Sequence, residues 1–362
     1  MKTSKILKAL APSEPAADSK LAVGTGCDVL NMHLTGTTAG GYRAGKYYAI
    51  VGDSSAGKTW LCFSAFAEAK HNPATSHYRL IYDPVEDGAD FDVERYFGSR
   101  VAESIETPTG EPDGCSFTAE DFGDNLLRAM KTAESTGVPF IYALDSLDAL
   151  TSADDELKAD EQRKAREKGT KATGSYGMSK AKRMKSILRH ATSSDGLRKS
   201  GSILIILCQT IDNVGFGFET KDRAGGNAVT FFATADMWLS IRKTLKEKVK
   251  GKDRPVGIET QVVIKKNRIT GKKHEKTGLV IYHTVGIDNT GTSIDYLIDE
   301  GYWKKSGNGV MPTGVADESM GREALIQFIE ENDLEGKLRL AVKRCYRQIA
   351  EAMVVVRKKR YN

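Results

Sequence analysis

The residues Gly52-Asp53-Ser54-Ser55-Ala56-Gly57-Lys58-Thr59 fit the pattern G-x-x-x-x-G-K-[ST]. These residue types at this spacing bind phosphate groups. The glycines let the backbone curl so that successive N–H groups point inward, and the positive end of a following helix adds to the field. Lys58 is placed to reach the β- and γ-phosphates of a nucleoside triphosphate, and the Thr59 hydroxyl to take one position on Mg²⁺. Asp145 closes the apolar run Pro139-Phe140-Ile141-Tyr142-Ala143-Leu144 and is followed by Ser146. A carboxylate ending a buried strand is the natural second half of such a site, holding Mg²⁺ through water or through Thr59. Its other reading is a cap for the next segment.

The elements that must position these groups are visible on either side. Tyr47-Tyr48-Ala49-Ile50-Val51 reads as a strand entering the loop, and residues 60–69 as the helix leaving it, which is the order a phosphate loop requires. Arg79-Leu80-Ile81-Tyr82-Asp83 reads as a strand stopped by Pro84, with a short helix over 90–97. Phe122, Leu126, Leu127, Met130 and Ala133 recur at helical spacing over 118–135, with Thr118 as the cap. The run 201–208 is a fully buried strand that ends in Gln209-Thr210. A glycine-rich loop follows, and 236–242, 257–266 and 278–283 alternate as antiparallel strands extending a parallel sheet. The expected fold is therefore α/β: a twisted, mostly parallel central sheet with an antiparallel extension, flanked by helices. After Trp303, Ser306-Gly307-Asn308-Gly309 reads as a linker into a small helical C-terminal module, 306–362. Residues 1–23 read as an N-terminal arm that either docks on a neighbour or is disordered.

At 40% hydrophobic and 28% charged over 362 residues, the composition is that of an ordinary globular chain. Five scattered cysteines, never spaced C-x-x-C, argue against a disulfide framework or zinc site and for a reducing cytosol. No stretch approaches membrane-spanning length. Net charge is only +5, but lysine and arginine crowd into 163–189, 242–254, 265–276 and 339–360. Such clusters suit a polyanion, although each alone is also what a solvated face looks like. Two segments could contact DNA: about 154–177, densely charged and read as a long basic connection, and about 210–227, which carries Phe216, Lys221 and Arg223. Lysine and arginine would neutralise backbone phosphates, while Met178 or Phe216 would either wedge between bases or pack in the core.

Taken in order, these pieces resemble the RecA family of DNA recombinases, including its phage UvsX-type branch, over roughly residues 24–305. Beyond the phosphate loop, the resemblance rests on Gly225-Gly226-Asn227-Ala228 with Phe231-Phe232-Ala233, on Ile264-Lys265-Lys266-Asn267-Arg268, and on Gly286-Ile287-Asp288. It implies a RecA-type core and an ATP-hydrolysing recombinase using Mg²⁺. Such a protein would form a helical homo-oligomeric filament on single-stranded DNA and exchange strands with a duplex. The implied location is the bacterial cytosol, or the host cytoplasm if the chain is phage-encoded, with single-strand-binding and mediator proteins as further partners. Glu86 matches the acid that orients the attacking water, Asp90 the adenine contact, and Gln209 the glutamine that senses the γ-phosphate. Lys266 and Arg268 match cations that reach the neighbour's ATP, and Gly225, Gly226 and Asn227 close the second DNA loop. One residue is inserted in Asp83-Pro84-Val85-Glu86 relative to the family's Asp-x-Glu, which leaves Asp87 as the alternative to Glu86. Ile211-Asp212-Asn213 also stands where the family has an arginine. A ring helicase shares the core but normally carries a separate N-terminal domain and lacks G-G-N-A followed by K-N-R. A DNA-coating filament with little hydrolysis follows if the insertion misplaces Glu86.

Overall fold

Apolar runs five or six residues long cannot face water on either side, and the chain buries three of them at the centre of one sheet. A computed structural model describes residues 21–86, 91–111, 113–167, 178–215, 218–223, 226–307, 309–355 and 357. Its main sheet uses β1 (Tyr47–Gly52), β2 (Arg79–Pro84), β3 (Ile105–Glu106), β4 (Phe140–Asp145) and β5 (Ile203–Cys208). The remaining strands are β6 (Ala235–Val249), β7 (Lys252–Asn267), β8 (Glu275–Tyr282) and β9 (Gly286–Ile287). The nine lie in the order β9-β8-β7-β6-β1-β5-β4-β2-β3. Every pair from β6 to β3 is parallel, and β7, β8 and β9 add the antiparallel extension. The mixed sheet expected from the sequence is thus the one observed.

Helices cover the sheet: α1 (Asp28–Thr35), α2 (Lys58–His71), α3 (Ala119–Thr136), α4 (Ala153–Glu167), α5 (Met178–Ala191), α6 (Asn227–Phe232), α7 (Asn289–Asp299), α8 (Arg322–Glu331) and α9 (Glu335–Ala352). Thr118 caps α3 through a reciprocal capping box with Asp121, as the sequence signature indicates. The apolar faces of α8 and α9, through Leu325, Ile329, Leu338 and Val342, belong to the same buried cluster as α1 and Met237 of β6.

Three expectations are corrected. The segment from 154 is not an irregular connection but helix over most of its described length. Its Ala, Glu, Lys and Arg are strong helix formers, and Asp154, Asp155 and Glu156 complement the positive end of the dipole in the first turn. Without an apolar stripe this helix gives no periodic signal, which is why composition alone reads as loop. Thr210–Gly215 and Phe218–Arg223 pair as a hairpin rather than a loop, and Thr210 faces Arg223. Ser306 and Gly309 are paired strand residues of a small hairpin, Lys304–Ser306 against Gly309–Met311, rather than parts of a linker.

Candidate functional site

Strand order explains the site. In a parallel sheet all carboxyl ends lie at one edge, about 4.8 Å apart between neighbours, and that edge is where α/β proteins bind ligands. Here four adjacent strands β1, β5, β4 and β2 deliver, in turn, the phosphate loop, Gln209, Asp145 and Glu86. Residues far apart in sequence are thereby set side by side.

The loop itself needs its glycines. Gly57 has φ +97, and a Cβ there would lie 2.4 Å from Ile281 Cδ1. A Cβ on Gly52 would meet the Leu239 carbonyl at 2.8 Å. Ser55 is left-handed at φ 61, and Ser54, Ser55 and Ala56 complete the turn between β1 and α2. Lys58 folds back so that its Nζ donates to the carbonyls of Gly52 and Asp53, both at 2.8 Å. Burial pulls its pKa down, against the pull of Asp145, Asp148 and Glu86. Thr59 Oγ1 and the Tyr82 hydroxyl each donate to Asp145 Oδ2 at 3.0 Å, yet burial still lifts the Asp145 carboxyl above its usual range. A cation would correct that imbalance, and a hydroxyl plus a carboxylate are the hard oxygen donors Mg²⁺ takes alongside substrate phosphates. Among the described residues no cluster of three or more His, Cys, Asp and Glu side chains forms a cage of its own.

Glu86 is exposed but anchored. It accepts from Ser146 Oγ at 2.5 Å and from Gln209 Nε2 at 2.9 Å. Asp87 and Asp90 lie outside the described residues. The Gln209 backbone N–H donates to Asp148 Oδ2 at 2.5 Å, and Lys180 of α5 donates to the Asp148 carbonyl at 3.1 Å. The next residue, Thr210, donates through its hydroxyl to Asp53 Oδ1 of the phosphate loop and opens the hairpin. Ser146, Asp148, Thr210 and Tyr82 were not singled out from the sequence. Their signal is position alone, each one to four residues from a residue that was.

The expected DNA-contacting residues separate. Phe216 and Gly225 are outside the described residues; Met178 is the first residue of α5, and Lys221 stands opposite Asp212 in the backbone register of the hairpin. Gly226, with φ 71, precedes α6, whose first residue is the exposed Asn227. Arg223 is committed inside the protein. Its Nη1 lies 2.9 Å from Asp236 Oδ1, with side chains 7% and 2% exposed, and its guanidinium sits near the Trp238 ring. Removing one partner of such a pair costs about 3–5 kcal/mol. Ser179 Oγ bonds Ser152 and Asp155, tying the start of α5 to that of α4.

Lys266 and Arg268 do not join the phosphate loop. Asn267 pairs with Ala235, and Ala235 with Tyr48 near the start of β1. The phosphate loop is at the other end of that six-residue strand, roughly 16–20 Å away by strand rise. There Lys266 Nζ donates to the carbonyls of Thr230 and Phe231, and Arg268 Nη2 to Phe231 O at 2.7 Å. Both cations thus satisfy the negative end of α6. Burial and the neighbouring Arg268 push Lys266 down to about 8.

Comparison with known proteins agrees with this layout. The family model described as the RecA N-terminal domain matches residues 14–288. The chain belongs to the RecA family. It is 26% identical over 318 residues to Protein RecA of Caulobacter vibrioides, covering 87% of this chain and 80% of that one. It is equally identical over 318 residues to Protein RecA of Rubrobacter xylanophilus, covering 88% and 81%. To Protein RecA of Mycobacterium avium it is 25% identical over 295 residues, 81% and 74%.

Lys58→Ala is expected to lose nucleotide binding, because each charge-assisted bond to phosphate contributes about 1.5–3 kcal/mol. Titration with a fluorescent ATP analogue checks this, and affinity equal to the unaltered chain would contradict the phosphate-loop assignment.

Proposed function

We propose that this chain is an ATP-dependent DNA recombinase that assembles as a helical filament on single-stranded DNA, pairs it with a homologous duplex and exchanges strands. The observation that carries the reading is the hydrogen bond between Gln209 and Glu86. The carboxylate suited to orienting water and the root of the hairpin suited to DNA are one bond apart.

The chain's own groups take these roles. Gly52 to Thr59 hold the triphosphate, with Lys58 leaving the loop carbonyls for the phosphates. Thr59 and Asp145 would hold Mg²⁺, which would neutralise charge on the β- and γ-phosphates. Glu86 accepts a hydrogen bond from the attacking water and aligns it in line with the leaving group. Gln209 senses the γ-phosphate and passes its position to the hairpin, and Thr210 does so in parallel through Asp53. Asp90 contacts the adenine.

Lys266 and Arg268 act on the ATP of the adjacent copy. Two observations support this: they stand at the sheet edge opposite their own phosphate loop, and they bond the C-terminal carbonyls of α6. Exchanging those carbonyls for phosphate oxygens would free α6, which follows the DNA hairpin directly. DNA contact is assigned to Met178, Phe216, Lys221, Gly225, Gly226 and Asn227 along segments 154–177 and 210–227. Arg223 serves by fixing the hairpin base. Residues 1–23 form an arm, 24–305 the core and 306–362 a C-terminal module. We place the chain in the UvsX-like branch, found in phage, and in the cytoplasm. The extra residue before Glu86 and the modest identity to the bacterial proteins are in keeping with that. Single-strand-binding and mediator proteins are its further partners.

The reading predicts ATP hydrolysis stimulated by single-stranded DNA, together with strand exchange; absence of both would overturn it. Glu86→Gln is expected to slow hydrolysis by ~10²–10⁴ while DNA binding persists, and Asp87→Asn producing that effect instead would move the role to Asp87. Thr210→Val is expected to keep DNA-free ATP turnover and lose several-fold of the DNA stimulation. Stimulation equal to the unaltered chain would remove Thr210 from the coupling.

A further inference from the structure

Between the nucleotide edge and the start of α5 stands a carboxylate that the proposed reaction does not use. Asp148 lies in the single 3₁₀ turn Leu147–Ala149 that follows β4. Turn carboxylates commonly bond backbone groups within a few residues of themselves. Asp148 also reaches the neighbouring strand: its Oδ2 accepts the Gln209 N–H at 2.5 Å, 61 positions along the chain. Its main-chain carbonyl accepts a hydrogen bond from Lys180 Nζ at 3.1 Å. One residue thus touches both the glutamine after β5 and the first turn of α5.

The side chain of Gln209 is held separately, donating through Nε2 to Glu86 at 2.9 Å. A turn of that side chain towards a γ-phosphate would exchange the bond to Glu86, with the backbone bond to Asp148 as the pivot. A triphosphate would also act on Asp148 directly. Burial lifts its carboxyl above the usual range, the Gln209 N–H and Lys180 pull it back, and Glu86 adds to the lift. Lys58 is attracted by Asp148 as well as by Asp145 and Glu86. Phosphate oxygens that engage Lys58 weaken that attraction and add like charge, so Asp148 is held differently with and without nucleotide. On its other side, half-buried Lys180 has its pKa lowered by burial, with Asp148 first among the groups opposing. Ser179 beside it bonds Ser152 and Asp155. The first turn of α5 is therefore fixed to the stretch that runs from β4 into α4.

We propose that Asp148 is a positioning residue through which nucleotide occupancy is coupled to the first DNA segment, 154–177. The Gln209 backbone moves, Asp148 carries the shift through its turn, and Lys180 passes it to α5. This rests on the function proposed above and adds to the hairpin a second path, on the side of α4 and α5.

The coupling is read as the factor by which single-stranded DNA tightens a fluorescent, slowly hydrolysed ATP analogue. Asp148→Ala is expected to lower that factor about fivefold or more, with affinity for the analogue alone and for DNA alone each within about twofold. Asp148→Asn keeps an oxygen that can accept the Gln209 N–H, and should recover most of the factor. Lys180→Met should lower it as Asp148→Ala does, and the two changes together no further than either alone, because they lie on one path. Lys199→Ala is the control: Lys199 is paired with Glu134 on the surface, and its loss should leave the factor within about twofold. An unchanged factor in Asp148→Ala, beside a clear factor in the unaltered chain, overturns the assignment and leaves the proposed function standing. Separate affinities that fall as far as the factor would also overturn it, since that is the mark of a residue that only shapes the turn. If DNA does not tighten the analogue even in the unaltered chain, the proposed function fails and the role of Asp148 fails with it.

Discussion

The charge of a triphosphate has to be met by donors already fixed when it arrives, and much of this architecture follows from that constraint. Loop N–H groups, a lysine and a hydroxyl can be fixed together only where a strand turns sharply into a helix, and Gly57 is the residue whose backbone and lack of a Cβ permit the turn. A carboxylate for the metal and another for water must then come from neighbouring strands. Only a parallel sheet brings the ends of β5, β4 and β2 to the same edge as β1.

The same edge is also where the hairpin proposed to contact DNA is rooted. Gln209 and Thr210 follow β5 directly and bond, respectively, to Glu86 and to Asp53. A shift of either partner by a fraction of an ångström would break or remake these bonds, which gives the proposed γ-phosphate sensing two short routes to the hairpin. Asp148 adds a third connection, since it binds the Gln209 backbone while its carbonyl holds Lys180 of α5. The opposite edge is equally organised. Lys266 and Arg268 satisfy α6 there.

Much of the candidate site was legible because it is local in sequence. The phosphate loop, the strand-end Asp145 and Gln209 each declare themselves within a few residues. The parallel sheet was legible from runs such as Ile203–Cys208 that are too apolar for a half-exposed strand. What the sequence did not disclose depends on side chains meeting across strands. The commitment of Arg223 to Asp236 needs β6 to lie beneath the hairpin, and composition gives only a cation in a polar loop. The helix Ala153–Glu167 escaped because an exposed helix without an apolar stripe has no period to detect. The bond between Asp148 and Gln209 joins residues 61 positions apart, and no spacing rule connects them.

Whether one ATP is served by two copies of the chain can be tested by mixing. A Glu86→Gln chain keeps its Lys266 and Arg268, while a chain carrying Lys266→Ala and Arg268→Ala keeps its Glu86. Where the second chain's ATP faces the first chain's cations, a fully intact site forms. A shared site therefore predicts that the mixture on single-stranded DNA hydrolyses ATP faster than the sum of the two variants alone. Hydrolysis equal to that sum, with both variants shown to co-assemble, would contradict it.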